Sequence, residues 1–86
     1  MARYKIELSN TAEKQLVSLE ASDRRRIVRA LTALGADPYP DGSRKLSGYT
    51  DVFRMRVGVL RVLYSVDGER VIVIILKIGH RKDVYR

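Results

Sequence analysis

Cysteine is absent from the chain, and histidine occurs once, as His80. Without thiols there can be no disulfide framework, no thiolate nucleophile and no cysteine-based zinc or iron–sulfur site. One imidazole does not make a histidine-rich metal site, so neither a metal nor a cofactor is expected. Long hydrophobic runs are missing too: none approaches the roughly 20 residues that a membrane-spanning helix needs. The opening stretch Met1-Ala2-Arg3-Tyr4-Lys5 lacks the apolar core of a signal peptide, so the expected location is the cytoplasm, with no membrane partner. Nor is there a Gly-rich phosphate loop, a glycosidase-type carboxylate pair or a recognisable Ser–His–Asp set. Anionic residues are scarce: 10 Asp+Glu stand against 17 Lys+Arg, a net charge of +7.

What is present fits one small folded domain spanning residues 1–86. The hydrophobic fraction of 45% against 31% charge is that of a globular chain rather than a disordered one. At 86 residues the chain is too short for two independent cores. The charge is unevenly placed. Residues 1–42 carry a net +1 and residues 43–86 a net +6, an asymmetry that points to a polyanionic partner.

Tyr4 to Leu8 alternates apolar and polar residues, which predicts a short strand. Ser9, Asn10 and Thr11 offer capping oxygens, and Glu13 three positions after Asn10 suggests a capping box. Ala12, Leu16 and Leu19 then give the apolar stripe of a first helix. Ser22 is the expected N-cap of a second helix, whose stripe is Ile27, Ala30, Leu31 and Leu34, with Gly35 as C-cap and Pro38 as terminator. Residues 36–50 read as loop. Val52 to Val57 and Leu60 to Val66 read as strands joined by Gly58-Val59. Asp67-Gly68 then predicts a tight hairpin into a last strand, Glu69 to Ile78, whose unbroken apolar run suggests cover on both faces. The order β-α-α-β-β-β predicts an α+β fold, a helical hairpin on one face of a mainly antiparallel four-stranded sheet.

A two-residue turn at Gly58-Val59 has a chemical consequence. It pairs Arg56 with Arg61 and Arg54 with Leu63, and directly opposed residues share a sheet face. Phe53, Met55, Val57, Leu60, Val62 and Tyr64 then form the face that the helices cover, and Arg54, Arg56 and Arg61 gather on the other. Opposed guanidiniums cost a few tenths of a kcal/mol or more, so a field put to use is one reading and a solvated sheet face the bland alternative. Leu63, Ile72 and Ile74 on the same face favour a partly covered surface that holds the cations. His80 and Tyr85 could move a proton or stack on a base, although a structural role is the commoner one for either. Arg24, Arg25, Arg26 and Arg29 read as the wet side of the second helix or as a seat for acidic partner residues or ribosomal RNA. Arg44, Lys45 and Lys82 are candidate phosphate contacts.

The segments Lys45-Leu46-Ser47-Gly48, Phe53-Arg54-Met55-Arg56, Leu60-Arg61-Val62-Leu63-Tyr64 and Ile78-Gly79-His80-Arg81-Lys82-Asp83-Val84-Tyr85 resemble the RelE toxins of bacterial toxin–antitoxin systems. The resemblance runs over essentially the whole chain. It implies a metal-independent endoribonuclease that enters the ribosomal A site and cuts mRNA by attack of a ribose 2′-OH on the adjacent phosphate. It places the family's catalytic cations on Arg54, Arg56, Arg61 and Arg81, and its C-terminal tyrosine on Tyr85. Arg61 and Arg81 are expected to stabilise the phosphorane, Arg54 and Arg56 to orient the phosphate, and Tyr85 to stack on or align the substrate. Many members have lysine where Arg54 and Arg56 stand. Arginine does not give up its proton, so His80, Tyr85 or a ribosomal group becomes the expected base. A cognate antitoxin is the implied partner, besides the ribosome. Two rivals remain at this point: a ParE-type toxin directed at DNA gyrase, and a non-catalytic nucleic-acid-binding module.

Overall fold

The alternating segments form the middle of the sheet. In the computed structural model, which describes residues 3–80, β3 (Val52–Val57) and β4 (Leu60–Asp67) pair as an antiparallel hairpin. Gly58 has φ +61, a conformation that the first position of such a two-residue turn requires and that glycine adopts without strain. β5 (Ile72–His80) runs antiparallel along β4 and parallel to β1 (Lys5–Leu8).

The sheet has five strands, in the order β1-β5-β4-β3-β2, rather than the four expected. The extra strand, β2 (Arg44–Lys45), pairs antiparallel with β3 inside the stretch read as loop. Two residues are too few for alternation to register, so only the pairing reveals them. Leu46 N donates to Val52 O at 2.8 Å, and Gly48 at φ +88 turns the chain between the two strands.

Helices α1 (Asn10–Ser18) and α2 (Ala21–Ala36) lie on one face of this sheet. Ile27, Leu31 and Leu34 of α2 and Ala12 of α1 share a buried core with Met55, Leu60, Val62, Tyr64, Ile75 and Ile78. Burying such side chains contributes roughly 1.5–3 kcal/mol each for the large ones, which is what holds so small a domain together. The last strand is central but not doubly buried. Val73, Ile75 and Ile78 face the helices and are buried, whereas Ile72, Ile74 and Lys77 are half-buried.

The helix ends differ from expectation. Ser9, not Asn10, caps α1: its Oγ accepts from Ala12 N at 3.0 Å and donates to Leu76 O at 2.8 Å. One hydroxyl therefore satisfies a helix terminus and pins it to the last strand. The helix α2 begins one residue before Ser22, and its N-cap Glu20 makes no side-chain capping bond. Gly35 lies inside α2 rather than at its cap. A Cβ there would come within 3.1 Å of Tyr4 O, so glycine favours the close approach in which Tyr4 N donates to Gly35 O at 2.7 Å. The β4–β5 connection is also longer than a tight Asp-Gly turn. Asp67 Oδ1 accepts from the backbone N–H of Glu69 and Arg70, and the strand resumes at Ile72. This side-chain turn outcompetes the two-residue one.

Candidate functional site

The register places cations in rows across the sheet face that the helices leave uncovered. Arg44 opposes Arg54, which opposes Leu63, which opposes Lys77. In the next row Arg56 opposes Arg61, and Arg61 opposes Gly79. Opposed residues have Cβ atoms about 5 Å apart, so Arg44, Arg54, Arg56, Arg61 and Lys77 form one cationic field. Arg54 and Arg56 are exposed, and Arg61 is half-buried and donates to Leu60 O at 3.4 Å. Gly79 sets no side chain opposite Arg61.

A β-bulge decides who else joins. The pairing of β4 with β5 slips between Leu63 and Tyr64, so that Leu76 is an extra residue in the last strand. Beyond the slip the alternation inverts. Lys77 moves to the cationic face, Ile78 turns into the core, and His80 opposes Leu60 on the helix side. His80 is thereby the last residue of β5 rather than the first beyond it, and it lies on the face opposite to Arg54, Arg56 and Arg61. The bulge is held from outside. Ser9 N donates to Ile75 O at 2.9 Å, Ser9 Oγ binds Leu76 O, and Gln15 Oε1 accepts from Ile78 N at 2.7 Å. Ser9, the N-cap of α1, and Gln15 within it thus continue the hydrogen bonding of β5 where β1 has ended.

Behind the cations stands an aromatic support. The Phe53 ring stacks on Tyr64 at 5.8 Å and meets the edge of Tyr39 at 5.1 Å. Tyr64 is fully buried and donates to Pro38 O at 2.8 Å. Burial pushes its hydroxyl above the ordinary phenol range, so it is a structural donor near neutral pH. The opposite end of the uncovered face is acidic: Asp51, Asp67 and Glu69 surround a shallow hollow with Ser65 and Ile74. The face is therefore polarised, cations near the β3–β4 turn and anions near the β4–β5 turn. Among the described residues, no three carboxylate or imidazole side chains gather as metal ligands.

Residues 6–85 match the family described as "ParE toxin of type II toxin-antitoxin system, parDE". The chain is 33% identical to toxin RelG of Mycobacterium tuberculosis, over 96% of this chain and 97% of that one. The chain is a RelE-family toxin. Its fold superposes with a TM-score of 0.82 on a chain of the archaeal RelE–RelB complex from Pyrococcus horikoshii OT3, at 31% identity over 92% of this chain and 96% of that one. The RelBE2 toxin–antitoxin complex of Mycobacterium tuberculosis gives a TM-score of 0.81 at 28% identity, over 93% of this chain and all of that chain (100%).

Of the site residues expected in this toxin, Arg54, Arg56 and Arg61 share a face, and Arg44 extends it. Lys45 opposes Phe53 and so belongs to the helix side. Arg81, Lys82 and Tyr85 lie outside the described residues. Two cations near the site were missed. Lys77 was hidden by the bulge, which no hydrophobic pattern announces. For Arg26 the sequence suggests a wet helix face or a seat for acidic partner residues or ribosomal RNA, with no link to the hairpin; a Cβ on Gly58 would sit 3.3 Å from its Nη1, which brings a guanidinium from α2 to the tip of the arginine hairpin. Its signal was Gly58 itself, a turn residue against which another chain segment can lie closely.

Proposed function

We propose that this toxin is a ribosome-dependent mRNA endonuclease restrained by a cognate antitoxin. The observation that carries this reading is the register that sets Arg54, Arg56 and Arg61 side by side on the uncovered sheet face. In the proposed reaction the ribose 2′-oxygen attacks phosphorus and the bond from phosphorus to the 5′-oxygen breaks. The 2′-hydroxyl proton passes to a base and the leaving 5′-oxygen gains one. The products are a 2′,3′-cyclic phosphate and a 5′-hydroxyl end. Negative charge builds on the phosphoryl oxygens, and guanidinium forks fixed on a strand match that geometry. Preorganised donors of this kind contribute about 2.7–4 kcal/mol each when a well-placed one is removed.

In this scheme Arg61 and Arg81 stabilise the phosphorane, Arg54 and Arg56 orient the phosphate, and Tyr85 aligns the substrate. The opposite-face position of His80 argues against its acting as base, which leaves Tyr85 or a ribosomal group to accept the proton. The antitoxin half of the reading draws support from the two solved structures described above, both of which are RelE–RelB or RelBE toxin–antitoxin complexes. A gyrase-directed activity is the second reading, favoured by the ParE name of the matching family. Primer extension on mRNA, with and without ribosomes, separates the two. Cuts that require ribosomes uphold the endonuclease; DNA breaks that require gyrase, without RNA cuts, uphold the alternative.

A further inference from the structure

The helix α2 carries a second stripe that the core does not use. At about 100° per residue, Arg25, Val28, Arg29, Thr32 and Ala36 fall on the side opposite to the buried Ile27, Leu31 and Leu34. With Arg3, Arg24 and Ala33 they line an open groove of about 690 Å³. Its floor is apolar. Val28 is 46% exposed, and Thr32 spends its hydroxyl on Val28 O at 2.8 Å, which leaves its methyl for the groove. Its rim is cationic, and no ion pair to a carboxylate is found for Arg3, Arg24, Arg25 or Arg29 among the described residues.

For an isolated helix this placement is unfavourable twice over. Arg25 and Arg29 are like charges at i, i+4. Arg24, Arg25 and Arg26 also crowd the N-terminal half, where the helix dipole favours anions, while the last turn has no basic residue. A partner bearing carboxylates relieves both conflicts. An RNA backbone would satisfy the arginines but would gain nothing from a floor of Val28, Ala33 and Ala36. The 3-4 spacing of the stripe suits ridge-into-groove packing of a second helix.

We infer that this groove is the seat of an acidic amphipathic helix of the antitoxin, carboxylates over Arg24, Arg25 and Arg29 and small apolar side chains over Val28 to Ala36. The inference rests on the antitoxin half of the proposed function and adds the surface and the chemistry. The test uses the purified full-length chain and the full-length antitoxin encoded beside it, titrated by calorimetry at low and high salt. Val28→Asp and the double variant Arg25→Glu/Arg29→Glu change only exposed positions, and Lys14→Glu on α1 is the control. Each groove variant is expected to weaken binding about 10-fold or more, Lys14→Glu by less than about 2-fold, and the double variant to lose part of the wild-type salt dependence. Wild-type affinity in both groove variants, with thermal melting unchanged, overturns the groove while the antitoxin reading stands. Loss of ribosome binding in the double variant with full antitoxin affinity makes the groove an RNA surface and overturns the inference. No binding of antitoxin to the wild-type chain defeats the antitoxin reading itself.

Discussion

The two faces of the β3–β4–β5 sheet obey different rules. Toward the helices the face serves mainly packing: Leu60, Val62, Tyr64 and Ile75 are at or near zero exposure, and the exposed His80 lies at its end. On the uncovered side, Arg56 stands directly across from Arg61, with Arg44 across from Arg54. One face is arranged to lower the free energy of the fold, whereas on the other the opposed Arg56 and Arg61 work against it. The lesson is that a face which accepts its own electrostatic repulsion is shaped by something outside the domain, and under the proposed reaction that object is a phosphate.

The contrast breaks most visibly if the core can be emptied without harm. Ile75→Ala should cost about 2–5 kcal/mol, a large share of the ~5–10 kcal/mol available to a domain of this size. Calorimetry should show a matching fall in melting temperature. Arg61→Ala should do the reverse, lowering single-turnover cleavage on programmed ribosomes by about 100-fold or more while the melting temperature stays nearly constant. Equal losses of stability in the two variants would erase the distinction between the faces.

Smaller effects sharpen it. Tyr64→Phe strands the buried Pro38 carbonyl and should cost about 1–2 kcal/mol in urea unfolding. Burial raises the Tyr64 pKa in the fold, so the native state keeps that proton longer than the unfolded chain, which titrates near 10. The wild-type contribution is complete below about pH 10 and declines as the pH rises through the folded value. The gap between wild type and Tyr64→Phe should therefore narrow above about pH 10. Arg56→Thr should raise stability by a few tenths of a kcal/mol, more at low salt than at high, while slowing cleavage. His80→Gln should change cleavage by less than about 2-fold, because its register sets it on the helix side. A large loss of cleavage with ribosome binding intact would return His80 to the mechanism.

Much of this was readable in the chain. The alternation of Val52–Val57 and Leu60–Asp67, with the Gly58-Val59 turn between them, was enough to pair Arg56 with Arg61. The stripes of α1 and α2 were equally plain. What escaped were features whose cause is not local. β2 is two residues held by a partner, Ser9 displaced Asn10 as cap because it also reaches Leu76, and Gly35 serves an approach to Tyr4 that lies 31 positions back along the chain.

By itself, then, the amino-acid order determined which segments alternate, which helix faces are apolar and which half of the chain holds the positive charge, because each depends on neighbours within a few residues. The tertiary structure decided the rest. Only the slip at Leu63/Tyr64, held by the N-cap Ser9 and by Gln15 of α1, sends Lys77 to the cationic face and His80 away from it. A single extra residue inverts every side chain that follows it in a strand, and its position is set by hydrogen bonds from residues more than 60 positions distant.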